Sequence, residues 1–265
     1  MTVLTPTVLT LNALTTTERP PTCSCDYYAQ SSGHNARQIR AVCLDVDDTL
    51  VDYMASGRAG LIALLGHDRA WTHWAELTEL HYDRFISGEV DFDTMRMQRT
   101  RAFFADLGEP LSDAEVVDRE EQRQDAMRAA WRLFDDALPC LHLLRSAGMM
   151  LAAITNAPSA HQRSKLATVG LIDTFDVLVI AEEVGMAKPD PAIFHLACAK
   201  LGVPPNQAMH VGDRLDLDAF AAFEAGLCGV WLARPQSTTV EAIPPGVHVI
   251  NGLLELPELL ETLAA

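Results

Sequence analysis

Short apolar runs alternate with amphipathic stretches along most of the chain. Six of the runs have the length and composition of buried strands: AVCLDV, MMLAAIT, FDVLVIA, AMHVGD, CGVWLA and VHVI. Four stretches between them repeat their apolar residues at helical spacing, namely LPCLHLLRSAG, SAHQRSKLATVGL, DPAIFHLACAKLG and DLDAFAAFEAGL. Strands that alternate with single helices are typical of a parallel sheet with helices on both faces. The pattern therefore predicts an α/β fold built on a doubly wound parallel sheet.

One long interval breaks this alternation. From about Tyr53 to Asp136 the sequence contains no convincing strand but several amphipathic helical stretches: WTHWAELTELHYDRFISG, DFDTMRMQRTRAFFADLG and SDAEVVDREEQRQDAMRAAWRLF. The interval is too long to be a loop within a compact domain. We predict that residues 53–136 form an inserted helical domain, and that residues 37–52 and 137–265 form the core domain.

Residues 1–36 differ in composition from the rest of the chain. They are rich in Thr, Ser and Pro and show weak periodicity, which is typical of a flexible extension. Cys23 and Cys25 in this segment could ligate a metal, but no second cysteine pair with zinc-type spacing follows them. We therefore expect an extension that takes no part in chemistry.

Composition and charge narrow the classes of partner. With 265 residues, of which 49% are hydrophobic, the chain can bury a large core. Its net charge of −16, from 20 basic and 36 acidic residues, argues against extended contact with a nucleic-acid backbone. No apolar run reaches the roughly 18 residues of a membrane span, and the N-terminus lacks the basic start of a secretory signal. We expect a cytoplasmic protein, monomeric or homodimeric, whose six cysteines are reduced thiols.

Polar residues follow four of the predicted strands at the point where each strand ends. They are Asp45 with Asp47, Thr155 with Asn156, Lys188, and Asp213. The carboxyl ends of parallel strands share one edge of the sheet, where ligands bind. Carboxylates that face one another must be protonated, paired or bound to a cation, and all-oxygen ligation favours Mg²⁺. A cation together with a lysine and a hydroxyl group would form an anion site.

These residues lie in four short motifs that occur in a fixed order: DVDDT from Asp45, ITN ending at Asn156, KPDP from Lys188, and GDRLDLD ending at Asp218. Together they resemble the four motifs of the haloacid dehalogenase superfamily, in its phosphatase branch. The resemblance covers about residues 39–232, and the predicted insert falls where that family places its helical cap. Four motifs in order are far more specific than any one of them alone.

The resemblance implies a role for each carboxylate near the first strand. Asp45 would be the nucleophile that attacks a phosphoryl group and forms an aspartyl-phosphate. Asp47 would protonate the leaving group and then deprotonate the attacking water. Mg²⁺ would be held by Asp45, the backbone carbonyl of Asp47, and Asp213, which lets an anionic nucleophile approach an anionic phosphate.

The other motif residues are implied to bind or to support. Thr155, Asn156 and Lys188 would bind the substrate, with Thr155 and Lys188 holding phosphoryl oxygens in the transition state. Asp218 would orient a metal-bound water or Lys188. Asp216 matches no required position.

Asp48 matches no catalytic position of the family either. Its position after the first strand favours a role in a turn or in capping a helix.

The insert offers several residues that could contact a substrate: Trp71, Trp74, His81, Tyr82, Arg84, Arg96 and Arg99. Trp74, Leu77, His81 and Phe85 recur at helical spacing, which favours a role in the core of the insert over a substrate wall. Arg96 and Arg99 share a helix face. A solvated face is the favoured explanation, and contact with a second anionic group is the alternative.

The resemblance as a whole implies a Mg²⁺-dependent phosphatase acting on a small phosphomonoester of the nucleotide or sugar phosphate class. The segment SGEVDFDTMRMQRTRAFFADLG also resembles caps of the subgroup that contains pyrimidine nucleotidases and N-acylneuraminate phosphatases. A phosphomutase and a catalytically idle binding or regulatory module are the alternatives. The dehalogenase and phosphonate-cleaving branches are disfavoured because they depart from the family pattern at the position of Asp47.

Overall fold

The computed structural model describes residues 38–234 and 242–265, so the expectations for residues 1–36 lie outside the described ranges. Each of the six predicted apolar runs contains one strand. The strands are β1 (Ala41–Leu44), β2 (Met150–Thr155), β3 (Val177–Ile180), β4 (Ala208–Gly212), β5 (Cys228–Leu232) and β6 (His248–Ile250).

In the described ranges, four α-helices lie between β1 and residue 130, one leads into β2, and the others follow β2. They are α1 (Tyr53–Leu65), α2 (Trp71–Ile86), α3 (Phe92–Asp106), α4 (Asp113–Ala129), α5 (Ala137–Ser146), α6 (Ser159–Thr168), α7 (Ala181–Val184), α8 (Pro191–Leu201), α9 (Ala221–Glu224) and α10 (Leu256–Ala264). Within these ranges no helix combines the length and hydropathy needed to cross a membrane.

All neighbouring strands pair in parallel, in the order β3-β2-β1-β4-β5-β6. The chain winds outward in one direction from β1 to β3 and in the other direction from β4 to β6. The strand order therefore reverses between β1 and β4, and a crevice that suits a ligand forms beyond their carboxyl ends. The predicted doubly wound sheet is confirmed.

Side chains on successive strand positions enter two different hydrophobic layers. In β1, Val42 and Leu44 pack into the layer that includes residues of α5 and α10, while Ala41 and Cys43 pack against α8 and α9. Because both faces are covered, the strands read as continuous apolar runs without polar alternation. Cys43, Cys140 and Cys198 are buried free thiols, as expected of reduced cysteines.

Helices α1–α4 lie between β1 and β2 and form the helical cap. The three amphipathic stretches predicted in the insert correspond to α2, α3 and α4, whereas α1 was not predicted. Small residues make up much of its buried face, including Gly57 and Gly60. A Cβ atom on Gly60 would lie 2.9 Å from side-chain atoms of Arg123 and Met127 in α4. Close backbone packing, which leaves no stripe of large apolar residues, is why the helical pattern was hard to see.

The cap has a hydrophobic core of its own, formed by Leu61, Leu64, Trp74, Phe103 and Phe104. Trp74 lies edge-on to Phe103 with ring centroids 4.9 Å apart, so the prediction that Trp74 belongs to the core is confirmed.

Phe85 belongs to a different part of the cap. It packs against Tyr82 and Phe92, and the Phe92 ring in turn lies 6.0 Å from His161 of the core domain. The stripe predicted from helical spacing therefore divides, because only its first part enters the cap core.

The expectation of a solvated face for Arg96 and Arg99 is wrong for Arg99. That side chain is buried, its Nη2 lies 3.4 Å from Glu120 Oε1, and its guanidinium lies 4.5 Å from the centre of the Trp74 ring. The face of α3 packs against α4, so a charged residue there is buried and pairs with a carboxylate of α4. Arg96 is partly exposed and pairs with Asp93 at 3.0 Å.

The two connections between the cap and the core domain run side by side. The Asp52 N–H donates to the Arg132 carbonyl at 3.0 Å, and Arg132 Nη2 donates to Asp52 Oδ2 at 2.7 Å. Asp52 also caps α1 by accepting from the Ala55 N–H. The cap therefore begins and ends at one place beside β1.

Candidate active site

Lys188 joins two carboxylates at the carboxyl edge of the sheet. Its Nζ lies 2.5 Å from Asp45 Oδ1 and 2.6 Å from Asp218 Oδ1, and all three side chains are buried. Asp45 follows β1 and Asp218 follows β4, so the pairing spans the point where the strand order reverses. The structure thus brings together residues that the sequence separates by up to 173 positions, from Asp45 to Asp218.

Asn156 fixes the backbone of Lys188. Its Nδ2 donates to the Lys188 carbonyl and its Oδ1 accepts from the Lys188 N–H, both at 2.8 Å. This two-way pairing holds the loop that carries the lysine against the end of β2. The observed contacts give Asn156 a supporting role, and its direct contact with a substrate stays a prediction. Thr155 is buried beside it, at the end of β2.

Asp218 is held by three donors. Besides Lys188, His210 Nε2 lies 3.0 Å from Oδ1, and the Arg214 N–H donates to Oδ2 at 3.1 Å. A Cβ atom on Gly212 would lie 2.2 Å from Asp218 Cγ, so only glycine lets this carboxylate approach the end of β4. The prediction that Asp218 supports Lys188 fits this geometry. His210 was missed, although a histidine inside the apolar run AMHVGD was a usable signal.

The chain between Gly212 and α9 departs from the helix predicted for DLDAFAAFEAGL. Residues Leu215–Phe220 form a π-helical segment, and only Ala221–Glu224 continue as an α-helix. Wider turns of this kind recur at functional sites. Here the segment carries Asp218 inward, while Asp216 points to the surface and pairs with Arg214, as expected of a residue outside the site.

Three carboxylates form a cluster suited to a cation. Oxygen atoms of Asp45, Asp213 and Asp218 all lie within 4.8 Å of one another. The backbone of Asp213 is fixed, because its N–H donates to Thr49 Oγ1 and its carbonyl accepts from Trp231 Nε1. Its carboxylate makes no hydrogen bond within residues 38–234 and 242–265. The cluster contains the predicted ligands Asp45 and Asp213 together with Asp218, and the contribution of the Asp47 backbone carbonyl stays a prediction.

The electrostatics of this cluster show an excess of negative charge. Burial, opposed by Lys188 and reinforced by the charge of Asp218, raises the pKa of Asp45 to about 7. Burial and the charge of Asp45 also raise the pKa of Asp213 well above its usual range. One lysine does not neutralise three carboxylates. The donor set therefore fits a hard divalent cation, which takes carboxylate oxygens and would remove the repulsion.

Lys188 and Asp218 shift in the opposite sense. Although burial opposes it, the carboxylates of Asp218 and Asp45 hold the pKa of Lys188 above its usual range. Burial alone would raise the pKa of Asp218, but Lys188 and the hydrogen bond from His210 outweigh it and lower that pKa. This pair is therefore charged, which leaves the unmet charge on Asp45 and Asp213.

The side chain of Asp47 points to a partner that sequence analysis missed. Lys165 Nζ lies 2.5 Å from Asp47 Oδ1 and 2.9 Å from Gln162 Oε1. Gln162, Lys165 and Leu166 form the buried face of α6. Their spacing of three and four residues places a lysine on the apolar side of the helix, and this was the available signal.

Asp48 occupies a turn, as predicted. Its φ of 57° lies in the left-handed region, which aspartate tolerates better than most residues. Its Oδ1 accepts from the Met54 N–H at 2.8 Å, in the first turn of α1. The third carboxylate of the DVDD segment thus directs the chain into the cap.

A cavity of about 560 Å³ opens between the cap and the core domain. The cap contributes Phe92, Arg96, Gln124 and Arg128 among its lining residues, and the core domain contributes Pro158, His161 and Glu182 among others. Trp131, on the connection after α4, also lines it. The clustered carboxylates do not line this cavity, but Lys165 Nζ lies 5.9 Å from the centre of the Trp131 ring. The cavity is therefore next to the pair formed by Lys165 and Asp47.

Two cap residues of α2 reach toward the core domain. Glu79 Oε2 accepts from Arg214 Nη1 at 3.2 Å, in an exposed ion pair. Burial raises the pKa of Tyr82, on which the charges of Lys188 and Asp45 also act. Helix α2 thus places an aromatic hydroxyl within the electrostatic reach of the site.

A family model described as a haloacid dehalogenase-like hydrolase matches residues 39–226. N-acylneuraminate-9-phosphatase of Mus musculus is 26% identical over 247 residues, covering 85% of this chain and 95% of that protein. Glyceraldehyde 3-phosphate phosphatase of Methanopyrus kandleri is 33% identical over 215 residues, covering 77% and 88%.

A solved structure shares the arrangement of sheet and helices. The HAD-hydrolase YfnB from Bacillus subtilis, whose structure was determined bound to magnesium, superposes with a TM-score of 0.73. It covers 84% of this chain and 99% of its own, at 22% sequence identity. Similarity at this level of identity establishes a common fold.

Proposed function

The chain belongs to the haloacid dehalogenase-like hydrolases, and from this premise we propose that it is a Mg²⁺-dependent phosphatase with an aspartyl-phosphate intermediate. Its relatives are named as phosphatases, which identifies the activity as phosphoric monoester hydrolysis. Their names also refer to small phosphorylated substrates. The proposal adds the metal, the covalent intermediate and the roles of individual residues.

One observation carries the proposal: Asp45, Lys188, Asp213 and Asp218 meet beyond the carboxyl ends of β1 and β4. Lys188 alone does not neutralise the carboxylates of this cluster, so negative charge is left without a partner. Such a site gains stability when a cation enters it. With the cation and Lys188 in place, the same site becomes attractive to a phosphoryl group.

Each residue of the site has a defined part in the proposed reaction. Asp45 attacks the phosphorus atom, and the bond between phosphorus and the leaving-group oxygen breaks. Thr155 and Lys188 hold phosphoryl oxygens as their charge changes. Asp45 and Asp213, with the backbone carbonyl of Asp47, would hold Mg²⁺, which when bound screens the repulsion between the nucleophile and the phosphate.

Proton transfer is assigned to Asp47. It donates a proton to the departing oxygen in the first step and accepts one from the attacking water in the second. Its carboxylate lies outside the cluster of three, and its side chain is 27% exposed. An acid in this position is separate from the metal ligands and accessible to a leaving group.

We further propose that residues 53–136 act as the cap that selects the leaving group. The core residues can bind a phosphoryl group, but they offer little to the rest of the substrate. The cavity of about 560 Å³ offers aromatic faces, from Phe92, Trp131 and His161, together with charged and amide side chains. Such a lining suits the sugar or nucleoside portion of a sugar phosphate or nucleotide.

The deciding experiment is a screen of phosphorylated metabolites for phosphate release, with Mg²⁺ and after chelation. We expect release from sugar phosphates or nucleotides that stops when the metal is removed. An isomerised sugar phosphate in place of free phosphate would identify a phosphomutase. Full activity after exhaustive chelation would contradict the metal requirement, and no turnover of any phosphomonoester would indicate an idle binding module.

The proposal that the cap selects the leaving group is tested by exchanging residues 53–136 for the cap of a related phosphatase. The substrate preference should change while the metal dependence stays, because the metal ligands belong to the core domain. An unchanged preference would refute the role of the cap.

A further inference from the structure

Lys165 is a completely buried lysine that contacts the proposed site from α6. Its Nζ donates to Asp47 Oδ1 at 2.5 Å and to Gln162 Oε1 at 2.9 Å. The other carboxylate oxygen of Asp47 makes no hydrogen bond to any residue of the described ranges. The lysine therefore holds one oxygen of this carboxylate and leaves the second one free.

Aromatic rings enclose the rest of the ammonium group. The Nζ atom lies 4.4 Å from the centre of the Tyr53 ring and 5.9 Å from that of Trp131. Tyr53 begins α1 and Trp131 follows α4, so the rings come from the two connections of the cap. Contacts of a cation with aromatic faces fix its position while they keep water away.

Stability alone is a weak reason for a lysine at this position. Leu166, its neighbour on the same helix face, is fully buried in the hydrophobic layer that includes residues of α5 and α10. An apolar side chain at position 165 could continue that layer without the desolvation of an ammonium group. Replacing a buried ion pair by apolar residues is often neutral or stabilising. The contact with Asp47 is therefore the better explanation for a charged residue at this position.

We infer that Lys165 is the positioning residue for Asp47. By holding Oδ1, it restricts rotation of the carboxylate and presents Oδ2 to the reacting oxygens. The inference rests on the proposed function, in which a proton leaves Asp47 for the leaving-group oxygen as the bond to phosphorus breaks. In the second step a proton of the attacking water returns to Asp47, while the bond between phosphorus and Asp45 breaks. Lys165 keeps its own protons throughout.

The test compares leaving groups in the Lys165→Met variant. The measured quantity is kcat/KM, which reports steps up to formation of the phosphoenzyme, for aryl phosphates of rising leaving-group pKa and for one alkyl phosphate. A positioned acid contributes about 10²–10⁴-fold when the leaving group needs a proton. We expect a loss below about threefold for 4-nitrophenyl phosphate and above about thirtyfold for the alkyl phosphate, as a fraction of that contribution.

Arg163→Met is the matched control. Arg163 lies on the same helix and pairs with Glu183 at 2.7 Å, but it does not contact Asp47. Its removal deletes an ion pair between α6 and α7 and should leave the dependence on the leaving group unchanged. In an Asp47→Asn background, Lys165→Met should cause no additional loss, because a residue that acts through Asp47 has nothing left to position.

Two further variants keep the test decisive if Lys165→Met is unstable. Lys165→Arg keeps the charge, and Lys165→Gln keeps a donor without the charge. We expect both to restore part of the activity toward the alkyl phosphate. Equal losses for all leaving groups would overturn the inference, and so would unfolding of all three variants at the assay temperature, because the role would then be structural.

The outcome also separates this inference from the proposed function. A wild-type protein that releases phosphate from no phosphomonoester removes the basis of both. An active wild type with Lys165 variants of unchanged leaving-group dependence overturns the positioning role alone.

Discussion

The molecule contains two buried clusters of charged residues, one in the cap and one at the edge of the sheet. In the cap, Glu120 is fully buried and accepts from Thr100, Arg123 and Gln124. Although burial opposes it, the neighbouring arginines, with Arg123 first, lower the pKa of Glu120 to about 2. This carboxylate has all the partners that it needs.

The cluster at the sheet edge is built in the opposite way. Burial raises the pKa of Asp45 to about 7, and Asp213 has a raised pKa and no hydrogen bond from its carboxylate to any described residue. In the cap, one carboxylate has several cationic partners and joins two helices, whereas the sheet-edge cluster has unmet negative charge and is prepared for a cation and an anion. The pairing of the buried carboxylates, more than their burial, distinguishes the proposed site from the cap cluster.

Asp45→Asn should have the largest effect. The variant lacks the attacking oxygen anion, so no aspartyl-phosphate can form and turnover should fall to background for every leaving group. Intact-protein mass spectrometry after acid quench should show no added phosphoryl group. Phosphorylation of another residue with continued turnover would contradict the role of Asp45.

Asp47→Asn should have a smaller effect that depends on the leaving group. The nucleophile is intact, but proton transfer, worth about 10²–10⁴-fold, is lost. The first step should suffer most with poor leaving groups and least with a nitrophenolate. Because hydrolysis of the intermediate also lacks its base, phosphoenzyme should accumulate with activated substrates. Equal impairment of both aspartate variants on all substrates, with no phosphoenzyme in either, would show that the roles are assigned wrongly.

Sequence patterns predicted the parallel sheet, the helical insert after its first strand, and several of the residues that meet at the carboxyl edge of the sheet. These features depend on local periodicity and on motifs, both of which a single chain displays. The prediction was weaker wherever a residue owes its position to another element. The spacing of Lys165 indicates the apolar side of its helix but not that this side meets Asp47, and Arg99 was expected on a solvated face because the contact of α3 with α4 is not visible in the sequence.

The presence of Asp218 in the carboxylate cluster has the same origin. Alternation along the chain indicates which side chains face the crevice, but it does not indicate which partner captures each one. The Asp47 carboxylate pairs with Lys165 and lies outside the cluster, whereas the π-helical segment brings Asp218 into it. Both effects depend on contacts between distant residues.

The dependence of stability on pH provides a third test of the contrast. The pKa of Asp45 in the folded protein is about 7, above its ordinary value of 3.8, so the folded state resists ionisation of this group. Below about pH 4 the group is protonated in both states and has no cost. Between about pH 4 and pH 7 the group ionises in the unfolded state but not in the folded state. The free energy of unfolding therefore falls as the pH rises, by up to about 4 kcal/mol for a pKa shift of about three units.

Urea unfolding between pH 4 and 8, in the presence of a chelator, measures this loss. We expect the metal-free wild type to lose stability over that range, and Asp45→Asn to lose less. Addition of Mg²⁺ should restore stability at pH 8 in the wild type, because a ligand that binds only the folded state stabilises it. A pH profile that is identical for the wild type and Asp45→Asn would contradict the unmet charge at the sheet edge.

The cap cluster should respond to substitution in the opposite sense. Among the described residues, Glu120 is the carboxylate that pairs with both Arg99 and Arg123, so Glu120→Gln leaves their buried charges without this counterion. Breaking a buried ion pair costs about 3–5 kcal/mol, and because glutamine keeps some of the hydrogen bonds we expect about 3 kcal/mol of lost stability in urea unfolding.

Glu121→Gln is the matched control, since its side chain is exposed on the same helix and should change stability by less than about 0.5 kcal/mol. Removing a carboxylate thus weakens the cap cluster but relieves the sheet-edge cluster at neutral pH. If Glu120→Gln were as stable as Glu121→Gln, Glu120 would not stabilise the cap in the way that its contacts with Arg99 and Arg123 indicate.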